Sequence, residues 1–300
     1  MNAALQFDFN SKSPISPWLE MGAYEALWLE QGASFKTIAE KFLSRPSSLP
    51  SDFVSNGTAL EMASVAHDKI RKHSSLPYGV RIHGAGEYPN KIRVAKHPIE
   101  LLYYQGLWAL SEQPSIAVVG TRQPSNEGIA NTRKVVQALI GNKIIPVSGL
   151  ARGIDSIVHE TAIEQRFPTI AVIGTPISMS YPKEHRELQR RIAREHLLIS
   201  QVPVVSYENM PITKTRTFFP ERNVTMSALT DATIIIEAGE TSGTLTQARA
   251  ALEQGRTLLI LDSCFQRPDI TWPRKFEQLG AIRVSRIEDI FANVSSTYKD

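Results

Sequence analysis

The sequence is short of what a secreted, membrane-spanning or uniformly polycationic protein requires. It has one cysteine, Cys264, so no internal disulfide framework can form and a reducing compartment, the cytoplasm, is the expected setting. No apolar run approaches the roughly 20 residues that cross a bilayer. The N-terminus carries Asp8 and Lys12 with no apolar block and resembles neither a signal nor a transit peptide. An excess of one charge is nearly absent: 33 Lys and Arg against 30 Asp and Glu leave a net +3, so any contact with nucleic acid must come from a local cluster. The seven histidines show no metal-ligand spacing. His159 and Asp155 stand four apart on an expected helix without a nucleophile for them to orient, and Cys264 is read as an inert, partly buried thiol. No metal and no cofactor is expected. There is no internal repeat or low-complexity tract.

What is present is a 300-residue chain with 42% hydrophobic content, enough for one large core or two unequal ones. It divides near residue 78. Before that point Ser16-Pro17 opens a helix over Trp18 to Glu30, Ser34 caps a second that stops before Pro46, and a third runs from Asn56 or Thr58 to about Lys72. No strand signal appears, so residues 1–78 are expected to form a small helical domain. From Gly79 the pattern changes. Strand-like pieces at Val80 to His83 and Leu101 to Tyr104 lead into strands at about 116–119, 144–147, 169–173, 197–200, 232–236 and 257–261. Helical stretches near 126–140, 154–166, 184–195, 220–229 and 243–254 separate them. Such alternation predicts an α/β fold, a Rossmann-like doubly wound and mostly parallel sheet over 79–300, with ligands outside the carboxyl ends of the strands.

Three strand-to-helix loops and one helix carry the chemistry. Between strand 232–236 and helix 243–254 lies Glu237-Ala238-Gly239-Glu240-Thr241-Ser242-Gly243-Thr244. A small-residue loop opening a helix aims unpaired backbone N–H groups at an anion, so Ser242, Gly243 and Thr244 are phosphate-binding candidates. Gly120-Thr121-Arg122 follows strand 116–119. It is not a dinucleotide fingerprint, because Arg122 stands where close backbone approach demands glycine, and NAD is not expected. In Ser148-Gly149-Leu150-Ala151-Arg152-Gly153-Ile154-Asp155, Ser148 and Gly149 lie nearest the strand end and are the phosphate candidates. Asp155 is read first as a helix cap, and Arg152 is left open. Arg216, Phe219, Arg222 and Asn223 combine cations, an aromatic face and an amide within eight residues, the components of a single-strand platform. The bland alternative is that Phe218 and Phe219 are both core and that Pro220 starts a helix. Arg186, Arg190 and Arg194 form a stripe on helix 184–195. The stripe is a solvated face balanced by glutamates unless the helix borders the strand-end cleft. Lys183, at the start of that helix, is the better-placed cation.

Taken together these segments resemble the DprA/Smf family of DNA-processing proteins. The resemblance rests on Val118-Val119-Gly120-Thr121-Arg122, Ser148 to Asp155, Ala171-Val172-Ile173-Gly174-Thr175 leading to Tyr181-Pro182, Phe219-Pro220-Glu221-Arg222-Asn223 and Glu237 to Thr244, in that order over roughly residues 80–262. It implies binding of single-stranded DNA, loading of a RecA-type recombinase and homodimerisation. It also implies phosphate contacts at Arg122 and Gly174 and a base contact at Phe219. Three departures are visible. Val224 replaces a second arginine of the F-P-x-R-N-R pattern, Ser200-Gln201-Val202-Pro203 replaces a Ser-Glu-Tyr-Pro-like run, and the segment Trp272 to Asn293 is too short for the winged helix that many relatives carry. Two rival functions are a nucleotide-sensing module and a nucleoside-monophosphate phosphoribohydrolase of the Lonely-guy type. For the second, Gln247 stands where that family's loop carries a catalytic glutamate, and an amide cannot act as the carboxylate.

Overall fold

A computed structural model describes residues 14–93 and 99–294. Asp8 and Lys12 lie outside the described residues. The helical segment comprises α1 (Pro17–Leu27), α2 (Phe35–Leu43) and α3 (Asn56–His73). The first two start at the serines that the sequence marks, Ser16 and Ser34, and the third at Ser55, which it does not; all three side chains accept from backbone N–H groups of the first turn, and Ser34 closes a reciprocal capping box with Thr37. No strand occurs among the described residues before β1 (Gly79–Ile82).

The order then runs α4 (Asn90–Arg93), β2 (Leu101–Gly106), β3 (Ser115–Val119), α5 (Asn126–Gly141), β4 (Ile145–Ser148), α6 (Ile154–Glu164), β5 (Ile170–Ile173), α7 (Arg186–Glu195) and β6 (Leu197–Ser200). It continues with α8 (Ile212–Thr215), α9 (Phe218–Leu229), β7 (Ala232–Ile235), α10 (Thr244–Glu253), β8 (Thr257–Leu261), α11 (Asp262–Phe265), α12 (Trp272–Gln278), β9 (Ile282–Val284) and α13 (Glu288–Val294). Nine strands form one sheet in the order β1-β2-β6-β5-β4-β3-β7-β8-β9. All neighbours are parallel except β1 with β2 and β2 with β6. This is the expected mixed α/β architecture, with an antiparallel edge added at one end and β9, which the sequence does not announce, at the other.

Strands β3 to β7 are buried throughout, because crossover helices cover both faces. Alternate residues of β3 divide between the two faces: Ile116 and Val118 join a cluster with α5 and α6, whereas Ala117 and Val119 join the larger cluster. That larger cluster also contains Met21, Tyr24, Leu27 and Trp28 of α1, so the helical segment shares its core with the sheet. A buried carboxylate fixes the join. Glu25 accepts from the Tyr103 hydroxyl and from the backbone N–H groups of Val204 and Val205, each at 2.8 Å. Its carboxyl is raised above the usual range by burial, against the pull of those three donors. Among the described residues no helix is long and apolar enough to cross a membrane.

Candidate nucleic-acid interface

β3 has β4 on one side and β7 on the other. From β3 the chain moves outward through β4, β5 and β6, then returns to β7 on the opposite side. Successive connections therefore diverge at β3 and β7, and the sheet opens a crevice beyond their carboxyl ends. Backbone pairing continues past both strands: Ile236 N–H donates to Val119 O at 3.1 Å and Thr121 N–H to Glu237 O at 2.7 Å. The loop carrying Gly120, Thr121 and Arg122 and the loop leading to α10 are thus held side by side. Thr244 adds a side-chain tie, its Oγ1 donating to Gly120 O at 3.3 Å.

A cleft of about 500 Å³ fills this crevice, lined by Gly120, Thr121, Arg122, Phe219, Asn223 and the Ser242-Gly243-Thr244 turn. Beside it, a second cleft of about 340 Å³ is lined by Gly149, Gly174, Tyr181, Lys183 and Arg152. Arg122, Phe219 and Arg222 line both. All the residues expected at the site except Ser148 and Arg216 therefore come together at one edge of the sheet. Ser148 is fully buried and donates to Val118 O at 2.7 Å, so its hydroxyl ties β4 to β3 and is not available to a phosphate. Arg216 caps the end of α8, exposed and outside both clefts.

The turn before α10 is less open than a helix N-terminus alone suggests. Ser242 N–H donates to Gly239 O and Leu245 N–H to Ser242 O, while Thr244 N–H is taken by Ser242 Oγ at 3.2 Å. Within the turn from Ser242 to Leu245, the backbone N–H left without a protein partner is that of Gly243. Gly243 has open space where a Cβ would stand and an ordinary right-handed backbone.

The helix α9 divides its aromatic pair. Phe218 is core, packed on Trp28 and Phe35 with ring centroids at 5.7 Å in both cases. Phe219, half-buried, faces the clefts and meets the exposed Tyr181 ring. One helical turn on, Arg222 is 6% exposed. Its Nη1 donates to Gly149 O at 2.5 Å and Val172 O at 2.6 Å, and its Nε to Asn223 Oδ1 at 2.9 Å. Burial draws the guanidinium below its usual range, Asp155 opposes that shift, and Arg122 adds to it. Asp155 is raised by burial and held down first by Arg222. The expectation that Arg222 neutralises a phosphate is narrowed: its Nη1 is committed to the ends of β4 and β5 and its Nε to Asn223, so the side chain is fixed within the protein. Asn223 is likewise a tie, its Nδ2 donating to Gly243 O at 3.2 Å.

Gly149 and Gly174 are corrected in the same sense. Both are buried. A Cβ on Gly149 would overlap the Arg222 guanidinium, and one on Gly174 would lie 2.8 Å from Phe219 Cδ1. They make room for the Arg222 and Phe219 side chains of α9 instead of presenting backbone to a ligand. Of the exposed cations that line the two clefts, Arg122 and Lys183 have no carboxylate partner among the described residues. Arg152, undecided from sequence, lines the second cleft but is ion-paired with Glu184. Asp155 accepts from Ala151 N–H at 3.3 Å, so it caps the loop before α6 from within the first turn. Sequence reasoning missed Tyr181. Its Tyr-Pro dipeptide was visible, but nothing local shows that the ring will reach α9.

Two features bear on catalysis. Gln247 is fully buried, its Nε2 donating to Thr233 Oγ1 at 3.3 Å, so an amide occupies the place a carboxylate would need. Cys264 donates its thiol to Ile236 O at 3.4 Å, and burial pushes it up to about 12, which keeps it a poor nucleophile at neutral pH.

Residues 79–295 match the family model of DNA recombination-mediator protein A. Protein Smf of Synechocystis is 36% identical over 188 residues, 61% of this chain and 45% of its own length. DNA processing protein DprA of Streptococcus pneumoniae is 37% identical over 161 residues, 54% of this chain and 55% of its own. The Bacillus subtilis protein of the same name is 33% identical over 207 residues, 68% of this chain and 67% of its own. The chain thus spans about half the length of the first two. Among solved structures, DprA from Streptococcus pneumoniae superposes with a TM-score of 0.67 at 28% identity, covering 94% of this chain and 95% of that one. A structure concerned with the single-stranded DNA binding mode of DNA processing protein A from Helicobacter pylori gives 0.63 at 27% identity, covering 75% of this chain and 99% of that one.

Proposed function

This chain belongs to the DNA recombination-mediator protein A family, and from that premise we propose that it binds single-stranded DNA across the two clefts and passes it to a RecA-type recombinase, acting as a cytoplasmic homodimer. The observation that carries the reading is the meeting of the clefts at Phe219 and Arg122. A half-buried ring with an aromatic neighbour offers a stacking face, and unpaired cations on either side of it suit the phosphates that flank a stacked base. The open N–H of Gly243 adds a neutral phosphate contact. Binding without bond cleavage is the reading that Gln247 supports.

A nucleotide sensor would use the same cleft, since about 500 Å³ is enough for one nucleotide. A titration of fluorescent oligothymidylate against excess thymidine monophosphate separates the two. A polymer binder gains affinity with oligonucleotide length and resists the mononucleotide. Equal affinity for monomer and polymer would replace the DNA-binding reading with the sensor. The recombinase step is tested by the rate at which a RecA-type protein filaments on single strands pre-coated with a single-strand-binding protein. Stimulation by this chain is expected, and its absence would confine the function to binding.

A further inference from the structure

A groove of about 600 Å³ runs between the C-terminal end of α3 and α7, away from the carboxyl ends of β3 and β7. Its rim carries Lys72, His73, Lys183, Arg186 and Arg190 against a single acidic residue, Glu208. Glu208 is already ion-paired with Lys69. Among the described residues Lys72, Lys183 and Arg186 have no carboxylate partner, and Arg190 has only the exposed Glu187 at 3.5 Å, a weak surface pair.

This arrangement divides the arginine stripe of α7. Arg191 and Arg194 both pair with Glu195 and behave as a solvated face. Arg186 and Arg190, one turn or about 6 Å apart, point their charge along the groove. The groove is also continuous with the strand-end clefts. Lys183 lines both it and the smaller cleft, and the single loop after β5 borders the groove with residues 177–180 and that cleft with Thr175, Tyr181 and Pro182.

We propose that this groove is a second segment of the DNA track, binding the sugar-phosphate backbone of a single strand that leaves the Phe219 cleft past Lys183 and runs between α3 and α7. The proposal rests on the single-strand reading of the clefts. It gives the helical segment a role in binding, because Lys72 and His73 come from α3 while the remaining cations come from the Rossmann-like part. Contact here is electrostatic: the rim cations offer charge, and no Phe, Tyr or Trp lines the groove to stack on a base, so the segment is expected to be largely indifferent to sequence.

The test is a length series of fluorescent oligothymidylates, each titrated over a range of salt, against wild type, a Lys72→Gln/Arg186→Gln double variant and an Arg122→Ala variant. Glutamine keeps the polar stems on exposed helix positions, and thermal unfolding checks that the fold is unchanged. For the double variant, the shortest strands that bind wild type should bind as before. Longer strands should lose affinity, with the slope of log affinity against log salt shallower by about 1.4, or 0.7 for each lost phosphate contact. Arg122→Ala should weaken every length. If the double variant binds all lengths with wild-type affinity and slope while Arg122→Ala still loses binding, the groove carries no strand and this proposal falls alone; a groove that docks an acidic protein surface would give that result. If wild-type affinity does not rise with length at all, the polymer reading fails and takes the groove with it.

Discussion

Tyr181 and Phe219 hold their rings 5.3 Å apart with planes tilted by 51°, although one sits in the loop after β5 and the other in the first turn of α9. Gly174 supports the Phe219 ring from below, since the absence of a Cβ lets the ring lie against the end of β5. The pair is an aromatic corner whose outer member, Tyr181, is 53% exposed and whose inner member is fixed. A base can stack there by adding to the corner or by displacing the tyrosine ring.

Replacing Phe219 by Ala should weaken single-stranded DNA binding by about 1–3 kcal/mol, the usual loss of one base-stacking contact. Duplex binding should change little. Tyr181→Ala should give a smaller loss in the same direction, and the double variant should lose less than the sum of the two if the rings share one base. Equal losses on single-stranded and duplex DNA, with a lowered melting temperature, would make Phe219 a packing residue only.

Arg122 and Arg222 should behave differently. Arg122→Ala removes an exposed, unpaired cation, so the salt slope of single-strand binding should become shallower by about 0.7 with stability unchanged. Arg222→Ala leaves the Gly149 and Val172 carbonyls without their donor, which should cost about 1–3 kcal/mol of stability. Urea unfolding alongside the salt series checks both. Arg286, which pairs with Asp289 at 3.4 Å outside the clefts, serves as the control.

Gly243→Val tests the turn before α10. The backbone there suits any residue and nothing stands within 4 Å of the added Cβ, so unfolding should be unaffected. The side chain would cover the turn's open N–H and obstruct the approach of a phosphate. Oligonucleotide affinity should drop, as measured by fluorescence anisotropy. Unchanged affinity would remove the turn from the interface.

Acid stability should report His159. Its Nδ1 contacts Thr169 Oγ1 at 2.8 Å, and the Thr169 hydroxyl donates to Pro146 O, so the imidazole is neutral with the proton on Nδ1. Burial is the main reason that its pKa falls from 6.5 to about 3, with His196 adding to the effect. The folded value lies below the unfolded one, so the unfolded state binds the extra proton as pH falls. The associated stability is complete above pH 6.5 and is lost progressively towards pH 3. A His159→Gln variant lacks this titration. The stability difference between wild type and variant should be flat above that window and shrink below it by up to about 1.4 kcal/mol per pH unit.

The periodicity of Ile and Val against amphipathic stretches was enough for the sequence alone to determine the layered α/β fold, its mostly parallel sheet and the serine caps of the first two helices. These depend on neighbours within a few residues or on a repeating burial pattern. Motif order likewise placed Gly120 to Arg122 and Ser242 to Thr244 at strand ends, where the clefts lie, and Phe219 to Asn223 on a helix. What each residue does there was settled by contacts between segments far apart in the chain. Arg222 reads as a phosphate ligand until β4 and β5 place two carbonyls and Asp155 around it; Ser148 reads as a loop hydroxyl until Val118 faces it. Gly149 and Gly174 read as backbone donors until side chains from α9 fill the space beside them. Tyr181 gains its partner, and Arg186 its groove with Lys72, only when α7, α9 and α3 are packed on one sheet. Local sequence encodes which way a side chain can point, while its partner and its remaining exposure are products of the assembled fold. Those two quantities decide whether an arginine binds DNA or holds the protein together.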